Sequence, residues 1–263
     1  MNAKLITLTT DFGLRDAYVA AMKGAILSRA PEVRIVDVTH EIPPGDIASA
    51  AYVLRQAAGF FPTGTVHLVV VDPGVGSERR AIACECGPHL YVAPDNGVLT
   101  AVLHANPPVR THLISRHELW RKEPSPVFHG RDIFGPVAAH LASGGRLDDV
   151  GEAIDPDTLL RLPWPEPRLE GDEWTGAVIY VDRFGNLVTN LPLEAGSVLA
   201  GTVETGGRCF ALARTYSDVR KGELVALRGS SGLLEIACNG GSAAGVLGAS
   251  PGHVVTFRVQ RRS

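Results

Sequence analysis

Three aspartates stand where short apolar runs end. Asp11 follows Leu5-Ile-Thr-Leu-Thr-Thr, Asp72 follows Val66-His-Leu-Val-Val-Val, and Asp182 follows Ala177-Val-Ile-Tyr-Val. In open α/β sheets, ligands bind beyond the carboxyl ends of the strands, so carboxylates at such ends suit a polar or cationic ligand. Asp72 opens the segment Asp72-Pro-Gly-Val-Gly-Ser-Glu-Arg-Arg, whose Gly74 and Gly76 permit positive φ and a close backbone approach. The segment is similar to part of a phosphate loop, but no Gly-Lys-Ser/Thr follows and no Gly-x-Gly-x-x-Gly opens a helix. Asp11-Phe-Gly matches the magnesium motif of kinases without the His-Arg-Asp loop that would have to accompany it.

A second dense segment, Phe128-His-Gly-Arg-Asp-Ile-Phe, places His129 before a glycine and just ahead of a helix. Asn96, in Pro94-Asp-Asn-Gly, suits turn chemistry as well as a site. Phe184-Gly-Asn-Leu-Val-Thr-Asn and Ser230-Ser-Gly-Leu-Leu-Glu-Ile-Ala-Cys-Asn-Gly-Gly are polar turns bearing glycine. No Cys-x-x-Cys or His-x-x-x-His offers metal-ligand spacing. Cys84 and Cys86 fall on one strand face while Cys209 and Cys238 stand alone, so four buried, reduced thiols are expected, with a soft-metal site as the lesser alternative.

The elements that must hold these residues change character along the chain. Leu5–Thr9, Val33–Val38 and Val66–Val71 read as strands, the last nearly continuously apolar and so buried on both faces of a parallel sheet. Ala17–Ala30 and Ile47–Ala58 repeat apolar residues at helical spacing, with Asp46 placed to cap the second. Ile82–Cys86 and Leu90–Ala93 form a strand pair, Gly97–His104 a short helix, and Ile133–Ala142 a helix stopped by Ser143-Gly-Gly. Strands alternating with helices give an α/β domain over 1–154 with a mainly parallel sheet. Pro156, Pro163, Pro165 and Pro167 make 155–174 a linker, because proline fixes φ and removes donors. From 175 to 263, short strands between glycine-rich turns predict an all-β barrel.

The net charge of −3 and scattered Lys and Arg argue against a nucleic-acid surface, and the basic tail Arg258, Arg261 and Arg262 reads as a solvated end. No apolar run reaches the roughly 18 residues of a membrane span. The first residues lead straight into a strand without a signal-peptide pattern, so a cytoplasmic protein is expected.

Seven ordered segments carry a resemblance. They are Thr9-Thr-Asp-Phe-Gly, Asp37-Val-Thr-His-Glu-Ile-Pro-Pro, Val71-Asp-Pro-Gly-Val-Gly, Val92-Ala-Pro-Asp-Asn-Gly, Phe128-His-Gly-Arg-Asp, Asp182-Arg-Phe-Gly-Asn and Ser231-Gly-Leu-Leu-Glu-Ile-Ala. Together they resemble the S-adenosylmethionine (SAM) hydroxide adenosyltransferase family, hydrolases that form adenosine and methionine and are related to fluorinating and chlorinating enzymes. The resemblance implies an N-terminal α/β domain, a C-terminal β-barrel, and a homotrimer with sites between subunits. It implies Asp72, Arg79 and His129 as the set that positions water or hydroxide, with Arg79 preferred to Arg80 for its seven-residue offset from Asp72. It also implies a substrate-binding set. Asp11 would take the ribose hydroxyls and Asp16 the methionine ammonium, with Asp182 and Ser231 also at the methionine end. Asn186 would read the adenine edge with backbone near Gly240, and Phe128 would touch the nucleoside. Gly130 and Glu235 complete this set. No metal and no cofactor are implied, since SAM is the substrate.

Departures from the halogenating relatives favour water as nucleophile. Gly45 stands where they carry tryptophan, Tyr18 where they carry a small hydroxyl residue, and Asp72 where they carry an aromatic. His129-Gly130 replaces their aromatic-serine pair, and the chain runs from Arg80 through Cys86 to Tyr91 without a long insertion. Methionine leaves as a neutral thioether and needs no general acid. Hydroxide meeting a sulfonium annihilates charge, which excluded water favours, and in-line geometry at the ribose 5′ carbon supplies much of the rest. Direct displacement with inversion is the expected course. The alternatives are a halogenase forming 5′-halo-5′-deoxyadenosine, a non-catalytic adenosine or SAM sensor, and a generic metal-dependent hydrolase.

Overall fold

The structure is a computed structural model and describes residues 4–193 and 201–259. The chain divides after Trp164 into two compact units.

The first unit is built on a seven-stranded sheet. Its strands are β1 (Leu5–Thr10), β2 (Arg34–Thr39), β3 (Val66–Val70), β4 (Ala81–Cys86), β5 (His89–Pro94), β6 (Pro108–Leu113) and β7 (Ala153–Ile154), in the order β2-β1-β3-β5-β4-β6-β7. β2, β1, β3 and β5 run parallel. β4, β6 and β7 alternate against their neighbours, so the sheet is mixed, with its parallel part at the β2 side. The change of direction comes from the β4–β5 hairpin, in which Gly87 has φ +57° and Cys86 faces His89. α1 (Tyr18–Arg29) and α4 (Gly135–Ala142) cover one face through Met22, Ile26, Val137 and Ala138, packed on Ile6, Leu8, Leu68 and Val70. α2 (Ile47–Ala58) and α3 (Thr100–Ala105) cover the other through Leu54, Val102 and Leu103, packed on Val69, Val71 and Tyr91. β3 is thus buried on both faces, all five residues of it, as its apolar run predicts.

Local chemistry sets several boundaries. Asp46 caps α2, its carboxylate accepting from the Ser49 amide at 3.0 Å. The helix predicted from Ile133 begins earlier, as a π-helical turn over Gly130–Phe134 that passes into α4. β6 escapes the periodic reading because it starts at Pro108, a residue tolerated at the first position of a strand.

The proline-rich stretch 155–174 is ordered. A 3-10 turn forms at Pro156–Thr158, and the Leu160 and Leu162 amides donate to Asp95 Oδ1 and Thr100 Oγ1, both at 2.9 Å. Buried acceptors of the first unit therefore hold the residues between the prolines. The second unit contains β8 (Arg168–Glu170), β9 (Glu173–Val181), β10 (Leu187–Pro192), β11 (Gly201–Thr205), β12 (Arg208–Ala211), β13 (Leu224–Arg228), β14 (Leu233–Cys238), α5 (Ala243–Leu247) and β15 (Val254–Val259). These strands pair antiparallel in the order β12-β11-β15-β9-β10-β14-β13, with β8 on β9. The Ala213 amide donates to the Ala226 carbonyl at 2.8 Å, drawing the two ends of the sheet together into a nearly closed barrel around Leu187, Leu191, Leu234 and Val255. Cys84, Cys86 and Cys238 are buried free thiols as expected, but Cys209 is exposed, because β12 lies at an end of this sheet.

Candidate active site

β1 and β3 are parallel neighbours, so Asp11 and Asp72, one residue beyond Thr10 and two beyond Val70, emerge side by side. Both line a cleft of about 320 Å³ together with Phe12, Gly45, Phe128, His129 and Gly130. Asp11 Oδ2 accepts from the Gly45 amide at 2.8 Å. Asp72 is bound by Arg79, whose Nε donates to Oδ1 and Oδ2 at 2.9 and 3.0 Å and whose Nη2 donates to Oδ2 at 2.5 Å. The same Nη2 lies 2.8 Å from His129 Nδ1. A guanidinium only donates, so Nδ1 is the acceptor and the neutral ring carries its proton on Nε2. Burial, followed by the Arg79 charge, holds the His129 pKa below its ordinary 6.5. Arg79 side-chain exposure is 10% and that of Asp72 is 5%, so Asp72 is set into the cleft wall with Arg79 behind it.

Two glycines permit this geometry. Gly76 has φ +79°, and a Cβ there would lie 2.8 Å from the Pro126 carbonyl oxygen, so glycine alone lets the Asp72 loop seat against the segment leading to His129. Gly130 faces the Phe12 ring, where a Cβ would stand 3.2 Å from Cζ. Phe12, Tyr18 and Phe128 form an aromatic cluster with centroids 5.3–6.2 Å apart. Arg131 lies over the Phe128 ring at 4.8 Å and pairs with the buried Asp132.

The other arginine of the loop, Arg80, turns away to Asp95 and to the Thr158 carbonyl. Asn96 is occupied in turn chemistry, its Nδ2 donating to the Val71 carbonyl and its Oδ1 accepting from the Val98 amide. Asp16 is exposed on the bend before α1 and is not among the residues lining the cleft.

In the second unit, Asp182 follows β9 and closes its turn by accepting from the Phe184 and Asn186 amides and from Asn186 Nδ2, at 2.8, 2.9 and 2.9 Å. Ser231 stands in the tight turn between β13 and β14, and Gly240 follows β14 with φ +71°. Glu235 is buried on β14 and accepts from Tyr216 Oη at 2.7 Å. Its pKa is raised by burial and by the Asp182 charge, while the Tyr216 phenol is pushed up to about 12 by its bond to Glu235. Asp182, Asn186, Glu235 and Tyr216 thus form one polar group. Tyr216 was absent from the sequence-derived set. Its signal was Thr215-x-x-Asp218, a capping pattern that seats it at the start of a 3-10 turn. Among the described residues, no three His, Cys, Asp or Glu side chains gather as metal ligands, and no helix is long and apolar enough to cross a membrane.

Residues 6–151 match the model of the SAM hydroxide adenosyltransferase N-terminal domain, and residues 176–256 match that of its C-terminal domain. The chain is 44% identical over 248 residues to a protein named (R)-S-adenosyl-L-methionine hydrolase from Salinispora tropica, covering 94% of this chain and 95% of that one. It is 44% identical over 250 residues to one of the same name from Thermus thermophilus, covering 92% and 95%. A fluorinase from Nocardia brasiliensis is 30% identical over 275 residues, covering 91% and 92%. The crystal structure of an uncharacterized conserved protein from Thermotoga maritima superposes with TM-score 0.89 at 38% identity, over 97% of this chain and all of that one. Two domain models in sequence, matched across both structural units, establish that the chain belongs to the SAM hydroxide adenosyltransferase family.

Proposed function

We propose that this protein hydrolyses S-adenosyl-L-methionine to adenosine and L-methionine by attack of water or hydroxide on the ribose 5′ carbon. The hydrogen-bonded set Asp72–Arg79–His129 at the cleft wall carries this reading. Asp72 offers carboxylate lone pairs that accept from the nucleophile. His129, neutral with its proton on Nε2, offers a donor to the nucleophile's oxygen and is not a base while Arg79 occupies Nδ1. Arg79 acts through these two, its Nε and Nη2 donors being engaged with them. The 5′ C–S bond breaks as the C–O bond forms, the sulfonium pair returns to sulfur, and the water proton leaves through Asp72 to solvent. The barrier depends on aiming and on excluding water. Asp11 and Phe128 support nucleoside binding in the same cleft.

The names of the relatives at 44% identity support a finer reading, that the substrate is the epimer with R configuration at sulfur. Lower identity to the fluorinase supports water over halide. Four free cysteines support a reducing, cytoplasmic setting. The family supports a homotrimer in which neighbouring subunits complete each site.

The test is chromatography of each separated sulfonium epimer after incubation with the protein, with and without chloride or fluoride. Adenosine and methionine in equal amounts, faster from the R epimer, are expected. Binding without product would indicate a sensor, and a 5′-halo product a halogenase. Either result overturns the proposal.

A further inference from the structure

The guanidinium of Arg79 is held by Asp72 and His129 through hydrogen bonds, and it has a third neighbour. Its Cζ lies over the ring of Phe134, 5.1 Å from the centroid. This is within the roughly 6 Å at which a cation is attracted to an aromatic quadrupole. Phe134 is wholly buried and ends the π-helical turn Gly130–Phe134, which starts directly after His129. In a regular α-helix, residues five apart project about 140° from each other. A π-turn repeats at i+5 and brings them back towards one side. The turn therefore lets His129 and Phe134 reach the same guanidinium, one through Nδ1 at 2.8 Å and one through its ring. Its closing bond runs from the Gly135 amide to the Gly130 carbonyl, at a point where a Cβ on residue 135 would stand 2.9 Å from that oxygen.

We propose that Phe134 is a positioning residue, whose ring fixes the plane of the Arg79 guanidinium and through it the orientation of Asp72 and His129. The inference rests on the hydrolase reading of the site. A hydrophobic residue of similar size would fill the core equally well but would leave the guanidinium free to tilt. His129 would then lose the donor at Nδ1. The charges that act on it are Arg79, which opposes its protonation, and Asp72 and Asp132, which favour it. With Arg79 displaced, the ring titrates closer to its ordinary 6.5.

The test replaces Phe134 with mono-, di- and trifluorinated phenylalanine, which keep the ring's shape while weakening the negative charge of its face, and adds Phe134→Leu. The expected result is a stepwise fall in kcat, reaching about 10- to 30-fold, with KM nearly unchanged. The His129 titration midpoint, followed by nuclear magnetic resonance in the resting protein, is expected to rise along the same series. A flat kcat across the fluorinated series, a loss confined to KM, or a Phe134→Leu protein with parental kcat overturns the inference. If the parent protein makes no adenosine, the hydrolase reading fails, and the His129 titration still decides whether Phe134 braces Arg79.

Discussion

Arg79 and Arg80 are chain neighbours with opposite surroundings. Successive side chains on an extended backbone point to opposite sides, and here one side is the Asp72–His129 pair while the other is Asp95 with Thr158. Composition cannot separate the two, and the seven-residue offset chose Arg79 only by resemblance. Their substitutions are expected to diverge. Arg79→Ala removes the donor that fixes both Asp72 and His129, and kcat for adenosine formation should fall at least about 100-fold, as when preorganised polar groups are lost. Arg80→Ala leaves the buried Asp95 with the Leu160 amide as its remaining partner and weakens the hold on the 155–162 segment. Because Arg80 is one-third exposed, the cost is about 1–2 kcal/mol, or a Tm roughly 2–8 °C lower, with kcat within about threefold of the parent. Steady-state kinetics and calorimetry on the two variants check this. Equal losses of kcat would remove the distinction between them.

At the scale of elements, the end of the sheet opposite the cleft holds charge-sensitive groups of its own. His67, on β3, is fully buried, accepts or donates to Thr7 Oγ1 at 2.7 Å, stacks on Tyr91 and meets His89 edge-on at 4.8 Å. His67 Nε2 and His89 Nδ1 are buried without a hydrogen-bond partner among the described residues. Burial and the neighbouring His89 lower the His67 pKa from 6.5 to about 3. The unfolded chain therefore takes up a proton that the folded chain refuses between those values. Stability from this residue is complete above pH 6.5 and is lost as pH falls, by about 3 kcal/mol at pH 4. Pairing His67→Phe with Thr7→Val, which leaves no orphan hydroxyl, should shrink the drop in Tm between pH 7 and pH 4. An undiminished drop would show that acid unfolding starts elsewhere. The strand itself was legible, since five apolar-rich residues between turns leave little choice, and so was α2 with its Asp46 cap. The mixed sheet was less so: β6 hides behind Pro107 and Pro108, and strand direction depends on partners far along the chain. The site shows the same division. Asp11 and Asp72 could be found from strand ends, whereas Tyr216 and Phe134 act through a hydrogen bond to Glu235 and a ring face under Arg79, which leave no local pattern.

For the whole molecule, the proposed residues fall into two sets on two structural units. Asp72, Arg79 and His129 belong to the first, and Asp182, Asn186 and Glu235 belong to the second. In a closed ring with head-to-tail interfaces, each subunit offers one set forwards and the other backwards. This is the arrangement proposed above for a homotrimer, and it has a consequence that a single-chain site lacks. Asp72→Asn spoils only the first set, and Asn186→Ala, which removes the amide bound to Asp182, spoils only the second. Each variant alone should be nearly inactive. Co-expressed in equal amounts, they assemble at random, and a site is intact when an Asn186→Ala subunit supplies the first set and an Asp72→Asn subunit supplies the second. That occurs in about a quarter of sites, so about a quarter of parental adenosine formation should return. Sites completed within one chain would stay inactive in every mixture, because no chain carries both intact sets. Light scattering on the same samples gives the subunit number independently, and recovery near a quarter in a particle of three chains is the expected joint result.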